Sequence, residues 1–203
     1  MQPRIPRQPV RDHAFRAMED DAGLSAELAA AVGGARRRAV RDGDRQIDTA
    51  HLLHSLLESD PEVCAVLGGG PRLARLFGYL VQRSIGYGLR WQGGVEESGA
   101  LPAVAPAEGF SPLASAALWH ARARAAGRPG PGAPGAGRLP GAGGVARGVD
   151  LLAAILADPQ ARAVEVLGRA GIDPLEVCAR IDGCLDECDG DGAVAGDAAG
   201  DAP

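Results

Sequence analysis

Apolar residues recur along this chain at helical rather than strand spacing. Leu24, Leu28, Ala31, Val32, Ala35 and Ala39 fall on one face of a helix that ends near Gly43. Thr49 is placed to cap a second helix, whose stripe is Leu52, Leu53, Leu56 and Leu57. Leu73, Leu76, Phe77, Leu80 and Val81 stripe a further helix over about 71–84. Asp60-Pro61, Ser111-Pro112, Asp158-Pro159 and Asp173-Pro174 each set a capping side chain before a proline at the first helical position, where its missing N–H costs nothing. They predict helices near 61–67, 112–126, 159–170 and 174–185. No stretch alternates like a strand, so the expected fold class is all-α.

The same pattern occurs twice. A shift of 99 residues lays Leu52, Leu53, Leu56 and Leu57 on Leu151, Leu152, Ile155 and Leu156. Asp60-Pro61 then answers Asp158-Pro159, and Val66-Leu67-Gly68 answers Val166-Leu167-Gly168. Stripe, cap and helix end in the same order point to duplication, with about four helices per copy. Gly68-Gly69-Gly70 reads as a helix-ending turn. Residues 1–23 read as an N-terminal extension, 24–85 as the first copy, 86–109 as a linker and 110–185 as the second copy. Within the second copy, residues 127–144 hold eight Gly and four Pro in 18 positions, too little apolar surface to offset ordering entropy, and predict a mobile insertion. The acidic stretch 186–203 predicts a disordered tail.

Composition sharpens this picture. The chain has 203 residues, 39 of them Ala, and only 3% are aromatic, so the helices should pack closely and thinly. All 21 basic residues are Arg and no Asn occurs, a composition expected of a GC-rich bacterial genome. Residues 1–183 are nearly neutral, and six acids without an Arg follow from Cys184 onward, which argues against nucleic acid as partner. No apolar run reaches the length of a signal peptide or a membrane span, which predicts a cytoplasmic protein without a membrane partner. Cys64, Cys178, Cys184 and Cys188 form no C-x-x-C pair and are expected to be buried or unreactive thiols.

At this point the sequence resembles the N-terminal double-repeat domain of the Clp unfoldases, the module ahead of their ATPase rings. Leu24-Ser25, then Ile47-Asp48-Thr49-Ala50-His51-Leu52-Leu53, resembles that family's Phe-Thr start and its I-G-T-E-H-L-L motif. Phe110-Ser111-Pro112, Gly148-Val149-Asp150-Leu151-Leu152 and the closing stretch Ala163 to Val177 resemble the second repeat. The resemblance covers about residues 24–185 and implies two four-helix repeats with pseudo-twofold symmetry. A P-loop is impossible, because no Lys follows any Gly-rich turn. The expected protein is therefore a free-standing module that needs no cofactor and is not an enzyme.

The resemblance also implies sites. In the family, the Glu of each T-E-H motif helps to bind phosphorylated arginine tags, and here Ala50 and Val149 stand in its place, a degenerate pair unable to meet a guanidinium. A groove between copies takes peptides or cyclic-peptide antibiotics, and its matching positions are Val32, Arg36, Phe110, Ser111 and Leu118, with Trp119 enlarging the apolar patch. Phe110 reads equally as a groove residue and as a hydrophobic staple. The run Arg36-Arg37-Arg38 reads as a solvated face. His51 and His54 stand at i and i+3 without a third metal ligand, and His51 matches a structural histidine of the family. His13 and His120 are isolated, Asp189-Gly190-Asp191-Gly192 lacks the Glu of a calcium loop, and no nucleophile with a base is evident. The partners so implied are unfolded or tagged protein substrates and a Clp unfoldase or protease complex. The competing expectation is a regulatory scaffold or a sensor of small ligands such as cyclic-peptide antibiotics.

Overall fold

The computed structural model describes residues 23–84, 95–97, 99–102, 109–128 and 144–190, the last seven for their backbone alone. Residues 1–22, most of the linker, the body of the Gly/Pro insertion and residues 191–203 lie outside these, and with them His13 and the side chains of Cys184, Cys188 and Asp189. Regular structure among the described residues is entirely helical: α1 (Ala26–Asp42), α2 (Thr49–Ser59), α3 (Pro61–Leu67), α4 (Pro71–Ser84), α5 (Pro112–Gly127), α6 (Gly148–Leu156), α7 (Arg162–Ala170) and α8 (Pro174–Gly190). None of these helices is long and apolar enough to cross a membrane.

Local chemistry accounts for most boundaries. Ser25 Oγ accepts from Leu28 N at the start of α1, and Ser111 Oγ accepts from Ala114 N at the start of α5. Asp60 Oδ1 accepts from Glu62 N and Val63 N, and Pro61 opens α3 as expected. Gly43 ends α1 at φ 74°, a left-handed conformation that glycine adopts without steric cost.

Four boundaries differ from the sequence expectation. Asp48, not Thr49, caps α2: its carboxylate accepts from His51 N while His51 Nδ1 accepts from Asp48 N, a reciprocal capping box. Asp158-Pro159 does not open a helix, and α7 starts only at Arg162. The Asp158 carboxylate does accept from Gln160 N, but it also receives backbone N–H groups from Gly99 and Ala100, so its geometry serves two segments. Gly168 lies inside α7, and the left-handed glycine that ends this helix is Gly171 at φ 76°. Finally, α8 runs to Gly190 rather than 185.

The helices interlock across the chain's midpoint. α1 packs most extensively on α2, and α5 on α6. Other helices cross over: α4 packs on α7, and α3 on α6 and α8. Two arginines act reciprocally at these crossings. Arg75 Nη1 donates to Ala170 O at the end of α7, and Arg180 Nη1 donates to Val66 O at the end of α3. Each guanidinium meets the negative end of a helix from the other side of the molecule.

One hydrophobic cluster runs through all of these contacts, with Leu28, Leu52, Leu53, Leu56, Leu113, Leu151, Leu152, Ile155 and Leu167 fully enclosed. Alanines 31, 35, 114, 117, 121 and 125 make the inner faces of α1 and α5. These small side chains let the helices approach closely, and a Cβ on Gly34 of α1 would lie 3.1 Å from Ser55 Oγ of α2.

Two glycines test this packing in opposite directions. A Cβ on Gly148 would lie 2.0 Å from Asp60 Oδ2, whose carboxylate is held by its caps on α3. Gly148→Ala should cost about 1–3 kcal/mol in urea unfolding. A Cβ on Gly78, inside α4, would meet nothing within 4 Å, so Gly78→Ala should gain about 0.5–1 kcal/mol.

Candidate functional site

The loops that lead into the helices pair with one another across the chain. Ser25 N donates to Ala146 O at 2.8 Å and Ala146 N to Gly23 O at 2.9 Å; Ile47 N donates to Gly109 O at 2.7 Å and Ser111 N to Ile47 O at 2.9 Å. These are two short parallel bridges, Leu24 with Ala146 and Ile47 with Phe110. They draw the starts of α1 and α6 together on one side and those of α2 and α5 on the other.

The second of these places gathers several of the residues singled out in the sequence. Phe110, 4% exposed, carries the Arg36 guanidinium 5.3 Å above its ring centroid. Val32, Ser111 and Leu118 are buried, as are Ala50 and Val149. Arg36 is half-buried there; Trp119, further along α5, is 51% exposed, and its ring meets that of His120 edge-on at 4.8 Å. The arginine run is not a uniform solvated face. Arg37 is exposed, but Arg38 is buried and donates to Glu58 at 2.6 Å.

Beside Ser111 lies a residue the sequence reading passed over. Glu96, in the predicted linker, is 4% exposed and sits where the starts of α2, α5 and α7 converge. Its carboxylate accepts from Thr49 N at 2.9 Å, Ser111 Oγ at 2.8 Å and Arg162 N at 2.8 Å, and from the Thr49 hydroxyl. Each hydroxyl works in both directions, since Thr49 Oγ1 also accepts from Ala163 N and Ser111 Oγ from Ala114 N. Three helix starts, each with unpaired N–H groups and a positive dipole end, thus share one acidic side chain. Nothing in Val95-Glu96-Glu97 distinguishes this Glu from its exposed neighbour.

The start of α2 carries a second buried carboxylate. Asp48 Oδ2 accepts from Arg83 Nη2 and from Arg162 Nη1, while Asp44 Oδ2 lies 3.2 Å from Arg83 and 3.1 Å from His51 Nε2. Burial alone would raise the Asp48 carboxyl, but the His51 contact and the two guanidiniums hold it far below the ordinary range. Asp44, Asp48 and His51 could in outline present ligands to a metal ion. Arg83 and Arg162 already bring two positive charges to the same oxygens, so the arrangement suits a structural ion-pair knot better than a cation. His54 joins neither set: it faces Glu58 at 3.6 Å and the Phe77 ring.

On the opposite side, the starts of α1, α3 and α6 border an open cleft of about 380 Å³ lined by Ser25, Glu27, Asp60, Pro61, Glu62 and Arg147. Arg147 lies 3.0 Å from Glu62, whose carboxyl is pushed up by burial against the pull of that arginine. Asp150 is fully buried beneath it and receives Arg128 at 2.5 and 2.7 Å, which pins the root of the Gly/Pro insertion. Cys64 and Cys178 are half-buried thiols, both pushed up by burial, which lowers their nucleophilicity at neutral pH.

Comparison with known proteins finds no family model and no curated protein that matches the chain.

Asp48→Asn should leave two half-buried guanidiniums undercompensated and cost about 3 kcal/mol in urea unfolding. His54 supplies a pH dependence. Burial, then the nearby Arg38 charge, lowers its pKa from 6.5 to about 4, so the folded state resists its protonation. Its contribution to stability is complete above pH 6.5 and is lost as pH falls toward 4, with a slope of at most about 1.4 kcal/mol per pH unit. The thermal midpoint of the wild type should therefore drop more steeply over that interval than that of His54→Gln. Parallel curves would show that His54 carries no such linkage.

Proposed function

We propose that the chain is a non-enzymatic protein-binding module built as two four-helix repeats about a pseudo-twofold axis. In this reading α1 to α4 form one repeat and α5 to α8 the other. The module serves as an adaptor, decoy or sequestering partner linked to Clp protease-dependent degradation. The single observation that carries the reading is the reciprocity of the two sets of helices. Leu24 bridges to Ala146 and Ile47 to Phe110, and Arg75 and Arg180 close each other's third helix. That is the expected geometry of a duplicated unit, and it supports the resemblance to the Clp repeat domain in the sequence motifs.

The binding face in this reading is the seam between repeats at Arg36, Phe110 and Ser111, extended by Trp119. An exposed tryptophan on α5 and a cation resting on the aromatic ring just before that helix are the kinds of group that concentrate binding energy. Val32 and Leu118 are buried in the hydrophobic cluster. With Ala50 and Val149 neutral and enclosed, the module recognises features of a polypeptide other than a guanidinium tag.

The test is fluorescence anisotropy with a labelled, permanently unfolded polypeptide such as carboxymethylated lactalbumin, repeated with a cognate unfoldase. The expected outcome is saturable binding to at least one of them, weakened about tenfold by Trp119→Ala, a change of about 1.4 kcal/mol. Removal of residues 186–203 should leave it intact. No binding to either partner sinks the proposal. Binding that depends on the tail favours a scaffold that recruits through residues 186–203.

A further inference from the structure

Residues 95–97 and 99–102 lie on the helical body as a bound peptide lies on a receptor. The strap is not helical, and two of its side chains are seated: Glu96 is enclosed and Leu101 packs against the core, while Val95, Glu97, Gly99 and Ala100 are exposed. Its backbone is held as well. Glu96 O accepts from Leu113 N of α5, and Gly99, Ala100 and Leu101 N donate to Asp158 Oδ2 at 2.8, 2.8 and 3.5 Å. Burial alone would raise the Asp158 carboxyl, but these N–H groups and that of Gln160 hold it below its ordinary value. Gly99 rests against the end of the exposed Gln160 side chain, which is free to swing aside for a larger residue.

Each of these contacts reads a feature that any polypeptide can supply. One is an acidic side chain, set into a cradle of helix-start N–H groups and two hydroxyls. The next is a run of free backbone N–H groups beginning three residues later, for the Asp158 carboxylate. The last is an apolar residue five positions after the acidic one, seated against the core. The cradle adjoins Ser111 and Phe110, so it continues the seam assigned above.

We propose that the strap is a built-in pseudoligand, and that the cradle of Thr49, Ser111 and the start of α7, together with Asp158, recognises extended acidic segments of the form Glu-x-x-x-x-Leu in partner proteins. Such a segment displaces the strap and takes its contacts. The inference rests on the reading of the chain as a protein-binding module and names what that module reads. A tethered strap competes at an effective concentration on the order of millimolar, so it screens out weak partners until the partner is abundant or multivalent.

The probe is a labelled synthetic peptide of residues 93–104. It should bind the Glu96→Gln protein at least tenfold more tightly than the wild type, because the cis strap has lost its carboxylate. The same peptide carrying Glu96→Gln should bind that protein at least tenfold more weakly than the unaltered peptide. In the unmodified protein, saturating peptide should speed hydrogen exchange at the amides of Gly99, Ala100 and Leu101, and this measurement decides the matter if the variant does not fold. Equal affinity of the two peptides, equal affinity for the two proteins, or unchanged exchange overturns the proposal. If the strap peptide fails while the unfolded polypeptide still binds in a Trp119-dependent way, this inference alone falls; loss of both fells the protein-binding reading with it.

Discussion

The first N–H groups of a helix have no partner within it, and in this protein three helices begin at the same enclosed place. That demand organises the molecule. The starts of α2, α5 and α7 converge on Glu96, and the shared acceptor is a charged one, which suits both the N–H groups and the dipole ends. Thr49 and Ser111 multiply the effect, because each hydroxyl donates a hydrogen bond to Glu96 while accepting an N–H from a helix. Asp48 meets the same requirement one residue away and draws Arg83 and Arg162 inward with it. A carboxylate this deeply enclosed is tolerable only because every direction around it holds a donor.

A thin core makes those polar junctions matter more. Alanine lines the inner faces of α1 and α5, so the helices sit close but gain little apolar area per residue. Specific register then comes from paired polar contacts distributed across the seam: two backbone bridges and two arginine clamps, all between the first four helices and the last four. The segment around Glu96 both satisfies the helix starts and covers them.

Much of the helical skeleton was legible in the residue pattern. Ser111-Pro112, Asp60-Pro61 and Asp173-Pro174 begin helices because capping chemistry is local and needs only neighbouring N–H groups. Asp158-Pro159 looks identical and begins none, since a distant segment claims its carboxylate. Thr49 has the hydroxyl of a common cap, yet Asp48 takes that place and frees Thr49 for Glu96. The arginine run shows the same limit. Spacing along one helix could not say that Arg38 would find Glu58 and Arg36 would rest on Phe110, while Arg37 stays in water.

The sequence by itself determined the all-helical class, most helix starts, the internal likeness of its two halves and the absence of a lysine-bearing phosphate loop, because periodicity, caps and composition act over a few residues. Tertiary structure alone decided which acid among many becomes buried. Glu96 and Glu97 are chemically equivalent neighbours, and only the convergence of three helix ends from distant parts of the chain selects one for the junction and leaves the other in solvent. The carboxylate's energy depends on donors 15 to 66 residues away, and no local pattern records them.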